Sequence, residues 1–158
     1  MKLIVGLGNP EAKYLKNRHN VGYIFIDRFY SDKFPNGLIA KKSGEYMNSS
    51  GKSVKRLVDS YKITTDNLYI VHDDLDIPLG QFKIQEGRGP KVHNGISSVE
   101  KELGTRDFWR VRIGVDNRDP ENRTSGEEYV LEDFTASEQE ILDQVLKKIA
   151  QTLKTNLQ

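Results

Sequence analysis

The stretch Leu68-Tyr69-Ile70-Val71-His72-Asp73-Asp74 decides the fold. Four consecutive apolar residues that stop at three polar ones fit a strand buried on both faces, the kind found inside a parallel sheet. A second run, residues 2–7 (Lys2-Leu3-Ile4-Val5-Gly6-Leu7), has the same character and stops at Gly8-Asn9-Pro10. Further strands are predicted at 38–40, 81–84 and 108–115, with a last short one at 129–131. Helices are predicted between them. Residues 20–31 carry Val21, Ile24, Phe25 and Phe29 at i, i+3, i+4 and i+8, and residues 50–61 carry Val54, Leu57, Val58 and Tyr61 on one side, with Ser49 or Ser50 as N-cap. Residues 95–103 turn Ile96, Val99 and Leu103 inward. Thr135 with Glu138 reads as a capping box opening a final helix to about Lys154, with Ile141, Val145, Ile149 and Leu153 inward. Residues 32–37 around Pro35 read as a turn, 87–94 as a polar loop, and 116–126 as a mobile polar stretch. Alternating strands and helices predict an α/β fold, a single domain over residues 1–158 with a twisted, mostly parallel but mixed sheet flanked by helices.

Composition narrows the function. At 158 residues the chain has the size of one domain. It has no Cys, which excludes disulfides, thiolate metal sites and a cysteine nucleophile. No apolar run approaches the ~20 residues a membrane span needs, and the first one is broken by glycines, unlike a signal peptide. A cytoplasmic protein without membrane contact is expected. Nothing suggests a large apolar interface, so a monomer is expected too. The net charge of +1 argues against a bulk polyanion binder. Basic residues nevertheless gather at Lys13, Lys16 and Arg18, at Lys83, Arg88 and Lys91, and at Arg106, Arg110 and Arg112, while acids concentrate in 116–133. One basic face is compatible with that total, and so is a mixed solvated surface.

Several motifs fail. Gly6-Leu7-Gly8 opens a dinucleotide fingerprint, but its third glycine falls on Glu11, whose carboxylate would repel a pyrophosphate. Gly51-Lys52-Ser53 resembles the end of a phosphate-binding loop, yet Tyr46 stands where the leading glycine belongs. Asp73, Asp74 and Asp76 are possible magnesium ligands, but three acids ahead of Pro78-Leu79-Gly80 are ordinary turn formers, so no metal and no cofactor are expected. In open α/β sheets ligands bind beyond the carboxyl ends of strands. On that rim stand Asn9, His72 and Asp73, with Asn48 and His93-Asn94 ahead of helices. A neutral His19 steered by Asp73 is one economical way to take a proton from water. Arg18 and a helix N-terminus both disfavour its charged form. Asn9, Asn48 and Asn94 offer amide donors to a developing oxyanion. Each of these residues also has a plain structural use: histidine at a helix start, asparagine in turns and caps.

At these positions the chain resembles bacterial peptidyl-tRNA hydrolases. The resemblance rests on Val5-Gly6-Leu7-Gly8-Asn9-Pro10, Tyr14, and Arg18-His19-Asn20-Val21-Gly22. It continues in Tyr46-Met47-Asn48-Ser49-Ser50-Gly51 and the run from His72 to Gly80. It ends with His93-Asn94-Gly95 and the run from Phe108 to Val115. It implies hydrolysis of the ester joining a peptide to the 3′ end of tRNA, with peptidyl-tRNA as the partner. His19 would be the general base, Asp73 its orienting carboxylate, and Asn9 the group that recognises the peptide link. Tyr14, Tyr46, Asn48, His93 and Asn94 would line the substrate channel, Met47 would pack beneath it, and Arg112 would contact phosphate. The chain departs from the family pattern in four places. Lys42-Ser43-Gly44-Glu45 stands where Lys-Pro-x-Thr is usual before the aromatic-Met-Asn. The segment between His19 and Met47 is short, Gln85 replaces a phosphate-contacting lysine, and the approach to His93 reads Gly87-Arg88-Gly89-Pro90-Lys91-Val92 instead of a run of small residues. Arg88 and Lys91 are the cations available to compensate. Two other readings stay open here, an RNA-binding relative without turnover and a generic small-ester hydrolase.

Overall fold

The computed structural model describes residues 1–29 and 37–156. Five strands form one mixed sheet in the order β2-β1-β3-β5-β4. They are β1 (Lys2–Gly6), β2 (Leu38–Lys42), β3 (Leu68–Pro78), β4 (Phe82–Glu86) and β5 (Trp109–Asp116). β1 runs parallel to β2 and β3, and β3 parallel to β5; only β4 is antiparallel. The helices are α1 (Val21–Phe29), α2 (Ser50–Tyr61), α3 (Asn94–Leu103), α4 (Gly126–Val130) and α5 (Ala136–Asn156).

The alternation along the strands splits the core in two. Leu3, Val5, Leu68 and Ile70 pack with Val54, Val58, Ile96 and Val99 of α2 and α3. Ile4, Tyr69, Val71 and Ile113 pack with Phe25 of α1 and Leu142, Val145, Leu146 and Ile149 of α5. The sheet is therefore covered on both faces, which is why its central strands read as unbroken apolar runs. Among the described residues no helix is long and apolar enough to cross a membrane.

Two glycines set the distance that matters most to the site. A Cβ on Gly6 would lie 2.3 Å from the Gly22 carbonyl oxygen, and one on Gly22 would lie 2.4 Å from the Val71 carbonyl oxygen. Only glycine lets α1 lie this close to β1 and β3. The one-turn 3-10 helix at Arg18–Asn20, which feeds α1, is thereby carried against β3.

Four expectations are corrected. β3 does not end at Val71 but runs to Pro78, so His72 and Asp73 stand inside the strand; Asp73 pairs in register with Ile113. The polar residues do not stop it because β5 supplies Arg112, whose Nε donates to the Asp74 carboxylate at 2.7 Å. Residues 129–131 are not a strand. Ser125 Oγ accepts the Glu128 N–H and opens α4, with two acids in its first turn. In α5 the buried stripe is Leu142, Val145, Leu146, Ile149 and Leu153, while Ile141 is exposed. The capping box is present: Thr135 Oγ1 accepts the Glu138 N–H at 3.2 Å, and Glu138 accepts the Thr135 N–H at 2.9 Å. At α2 the residue before the helix is Ser49, but no serine side chain caps it; Ser50 Oγ donates to the Met47 carbonyl instead. The polar stretch after β5 is cross-linked: Arg118 Nε donates to Asp116, its Nη1 to the Thr124 carbonyl, and Arg123 also reaches Asp116. The predicted turn around Pro35 lies mostly outside the described residues.

Candidate active site

A cleft of about 720 Å³ opens beyond the carboxyl end of β1 and beside the middle of β3, at Asp73 and Leu75. Its lining gathers Asn9, Tyr14, His19, Tyr46, Met47, Asn48, Asp73, His93 and Asn94. All the expected site residues are there except Arg112. Leu75 of β3, Val92, and Gly126, Glu127, Val130 and Leu131 from α4 and its end complete the wall. No local signal marked these last residues, because a strand was expected where α4 stands.

Asp73 is the buried centre. Its Oδ2 meets His19 Nδ1 at 2.9 Å and its Oδ1 meets His93 Nε2 at 2.8 Å. The proton positions follow from one further contact. His93 precedes α3 as its N-cap, and its Nδ1 accepts the Ile96 backbone N–H at 3.1 Å. A nitrogen that accepts carries no proton, so His93 is neutral and its Nε2–H donates to Asp73. With one oxygen so engaged, the other accepts from His19 Nδ1–H. His19 Nε2 is then left as a free lone pair in the cleft. His93, expected only in the channel, thus belongs to the charge arrangement around Asp73.

Burial alone would push the Asp73 carboxyl up, but the two facing histidines outweigh it and hold the group well below the ordinary carboxylate range. Burial pulls His19 down, and the Asp73 charge and hydrogen bond reverse this, so its pKa is raised. That corrects the expectation that Arg18 would disfavour the imidazolium. The Arg18 guanidinium turns away to Glu138 at 2.7 Å and is neutralised there. Beside them, His72 is fully buried; its Nδ1–H donates to the Asp73 carbonyl, and burial lowers its pKa to about 3.

Asn9 is held on three sides. Its N–H donates to Asn20 Oδ1 and its carbonyl accepts Asn20 Nδ2, each at 2.9 Å, while its Oδ1 accepts the Met47 N–H at 2.8 Å. The amide nitrogen Nδ2 is what remains for a ligand, so Asn9 presents a donor. Asn20 escaped the sequence reading, although it directly follows His19. Tyr46 is half-exposed at the rim and donates to the Glu11 carboxylate; Lys13 sits 5.0 Å over the Tyr14 ring. Met47 is buried beneath the cleft.

Arg112 lies elsewhere. Its Nε and Nη1 are committed to Asp74 and Gln85, both at 2.7 Å. Gly89 packs on it so closely that a Cβ there would lie 2.4 Å from the guanidinium carbon. Arg88 and Lys91, on the same loop, are exposed.

His19, Asp73 and His93 bring their donor atoms within 4.8 Å of one another, close enough to suggest a metal site. The tautomer opposes it. To ligate through Nε2 a neutral His93 must carry its proton on Nδ1, where the Ile96 N–H already points. Asp74 and Asp76 do not offer a site either, since Asp74 holds Arg112 and Asp76 accepts the Lys91 N–H.

Comparison with known proteins shows the family. The peptidyl-tRNA hydrolase family profile matches residues 3–158. The chain is 37% identical over 171 residues to a peptidyl-tRNA hydrolase of Pseudothermotoga lettingae, covering 99% of this chain and 90% of that one. It is 36% identical over 166 residues to one of Desulfitobacterium hafniense, covering 94% and 88%. The crystal structure of peptidyl-tRNA hydrolase from Acinetobacter baumannii superposes with a TM-score of 0.81 at 28% identity, over 98% of this chain and 87% of that one.

Proposed function

The chain belongs to the peptidyl-tRNA hydrolase family, and on that premise we propose that it hydrolyses the ester joining a peptide to tRNA, with His19 as general base. The observation that carries the reading is the His19 Nδ1–Asp73 Oδ2 contact of 2.9 Å in a cleft that also holds Asn9, Asn48 and Asn94. His19 Nε2 takes a proton from water, and the resulting hydroxide attacks the ester carbonyl. Asp73 stabilises the imidazolium that forms. The developing oxyanion is met by the cleft amides of Asn48 and Asn94, while Asn9 Nδ2 serves the peptide link. The imidazolium then returns its proton to the departing ribose oxygen.

Because Asn9 can only donate, it suits a carbonyl oxygen. A peptide link beside the ester has one, and a free aminoacyl group has an ammonium there instead. That is a physical basis for preferring peptidyl-tRNA over aminoacyl-tRNA. Tyr14, Tyr46, Asn48 and Asn94 line the path of the peptide and terminal adenosine. Arg88 and Lys91 take the phosphate contacts that a committed Arg112 does not offer. All groups the reaction needs come from one chain, so a monomer suffices, and a cytoplasmic location suits the proposed substrate. The chemistry calls on no metal or cofactor.

Turnover of N-acetyl-aminoacyl-tRNA by wild type and His19→Ala tests the reading. General-base catalysis supplies about 10²–10⁴-fold, so a loss of that size is expected. In wild type the rate should rise with pH through a limb above the ordinary histidine value of 6.5, because His19 must lose its proton to act and its pKa is raised. Normal turnover by His19→Ala would end the mechanism.

A further inference from the structure

Arg18 directly precedes the base, yet no step above uses its side chain. It is 4% exposed, and Glu138, its partner at 2.7 Å, is 3% exposed. Arg18 Nη1 also donates to the Tyr129 carbonyl at 2.9 Å and lies 3.2 Å from Glu132. Its guanidinium carbon lies 3.8 Å over the Tyr129 ring. Its backbone N–H donates to the Glu132 carbonyl at 3.1 Å. Glu138 is equally committed: besides capping α5 through the Thr135 N–H, it accepts Asn117 Nδ2 at 3.1 Å.

One carboxylate therefore joins four parts of the chain: the start of α5, the segment after β5, α4 through Tyr129, and the turn carrying His19. Two of these build the cleft. The turn supplies the base, and α4 supplies the wall at Gly126, Glu127 and Val130. A buried ion pair is poor evidence of net stabilisation, because desolvating both charges offsets most of their attraction. What such a pair does supply is a fixed geometry, since two forked groups with several partners fit in one arrangement.

We propose that the Arg18–Glu138 pair is a positioning device for the hydrolysis, holding the His19 turn against Asp73 on one side and against the α4 wall on the other. Glu138 is then a positioning residue that never meets substrate. The inference rests on His19 acting as the base. A second pair in the same chain provides the comparison. Arg110 is fully buried, binds Glu100 at 2.6 Å and the Arg106 and Phe108 carbonyls, and none of those groups lines the cleft.

The test compares Glu138→Gln with Glu100→Gln. Glutamine can keep its oxygen toward the Thr135 N–H and Arg18, which share Oε1; its NH₂ then faces Asn117 Nδ2, so the charge and that one contact are lost together. Three quantities are read: melting temperature, kcat and KM on N-acetyl-aminoacyl-tRNA, and the NMR titration of the His19 ring. The charged or titratable groups that line the cleft with that ring are Asp73 on β3, His93 ahead of α3, Glu127 on α4, and Tyr14 and Tyr46; both variants leave them in place, and Arg18, the preceding residue, is the one whose charge Glu138→Gln uncovers. Glu138→Gln should lower kcat at least tenfold and move the His19 titration downward, by loosening the contact with Asp73 and by uncovering the Arg18 charge; Arg18→Lys, which keeps both charges, isolates the loosening. Glu100→Gln should lower the melting temperature without either change. Arg18→Lys is read in the same way as a second variant; it keeps the charge and loses the paired donors. A Glu138→Gln protein that melts earlier but keeps its His19 titration, with kcat within twofold, would overturn the proposal. So would folded Arg18→Lys protein with both unchanged. If wild type does not turn over this substrate, the hydrolase reading fails, while the ring titration still decides the positioning.

Discussion

Asp73→Asn is the perturbation whose outcome the proton arrangement fixes most tightly. An asparagine in place of Asp73 must choose which side its oxygen faces. The Ile96 N–H keeps His93 Nδ1 an acceptor, so His93 Nε2 keeps its proton and needs an oxygen opposite it. The amide NH₂ then faces His19 Nδ1, which must turn acceptor. The His19 proton moves to Nε2, and the lone pair that takes a proton from water is gone. The opposite orientation sets two donors against each other at a buried site, at a cost of about 1–3 kcal/mol. The same exchange in serine-hydrolase triads also puts the imidazole proton on the wrong nitrogen. Asp73→Asn should therefore lose about 10²–10⁴ in kcat on N-acetyl-aminoacyl-tRNA with little change in KM. The His19 titration should fall below its ordinary value, because burial persists and the charge opposing it is removed. Asp73→Asn/His93→Leu then separates this account from a simple loss of charge. Without the His93 donor the asparagine can turn its oxygen to His19 Nδ1–H, so the double variant should be faster than the single one. The orientation energy sets that gain at about tenfold, since 1.4 kcal/mol corresponds to a factor of ten. Near-normal kcat in Asp73→Asn, or a double variant no faster than the single one, would refute the reasoning.

Two further outcomes are expected. His72 binds its proton with a pKa of about 3 when folded against an ordinary value of 6.5, so below pH 6.5 the unfolded chain takes up a proton the folded one refuses. Stability should drop by about 1.4 kcal/mol per pH unit from there downward, roughly 3 kcal/mol by pH 4. The raised His19 value contributes stability that is present below its ordinary pKa and fades only at higher pH; the depressed Asp73 loses its contribution only below its ordinary value of 3.8. The window between belongs to His72, and His72→Asn should flatten the melting temperature there; an unchanged slope would contradict it. On the tRNA side, Arg88→Gln and Lys91→Gln should each reduce the slope of log(kcat/KM) against log salt by about 1. Arg112→Gln should mainly lower the melting temperature, because it strands Asp74 as a buried charge. A salt slope that responds to Arg112 alone would reverse that assignment.

What could be read from the sequence was local. The apolar runs of β1 and β3 and the helical periods of α1, α2, α3 and α5 carry their own evidence, as does the Thr135–Glu138 cap. What escaped depends on partners far along the chain. β3 continues past Val71 because Arg112, 38 residues away from Asp74, neutralises it. α4 was too short for periodicity to distinguish from a strand, and the Ser125 cap outweighed the β preference of Tyr129-Val130. His93 could be placed at the cleft but not at Asp73, since that contact depends on how the loop before α3 crosses β3 at its middle. Arg18 misled for the same reason: judged by its neighbour it opposes a charge on His19, while its partner Glu138 lies 120 positions on.

That error of sign bears on how the base works. A general base is most effective with a pKa near the operating pH: a higher value strengthens it for proton transfer, and too high a value leaves it protonated. An exposed histidine already lies near that range, so nothing is gained by a site that only adds charge. Here opposing influences meet on one ring. Burial disfavours the imidazolium, and Asp73 favours it more strongly. Arg18 would add to the burial side if it were free, but Glu138 takes its charge out of the balance. His93 spends its N–H on the other Asp73 oxygen, so the negative charge facing His19 is shared between two donors. The Ile96 amide, by fixing the His93 tautomer, decides which way that sharing runs. The strength of the base is thus set by groups that never touch water or ester, which is why a substitution two contacts away from His19 should register in its titration before it registers in the shape of the cleft.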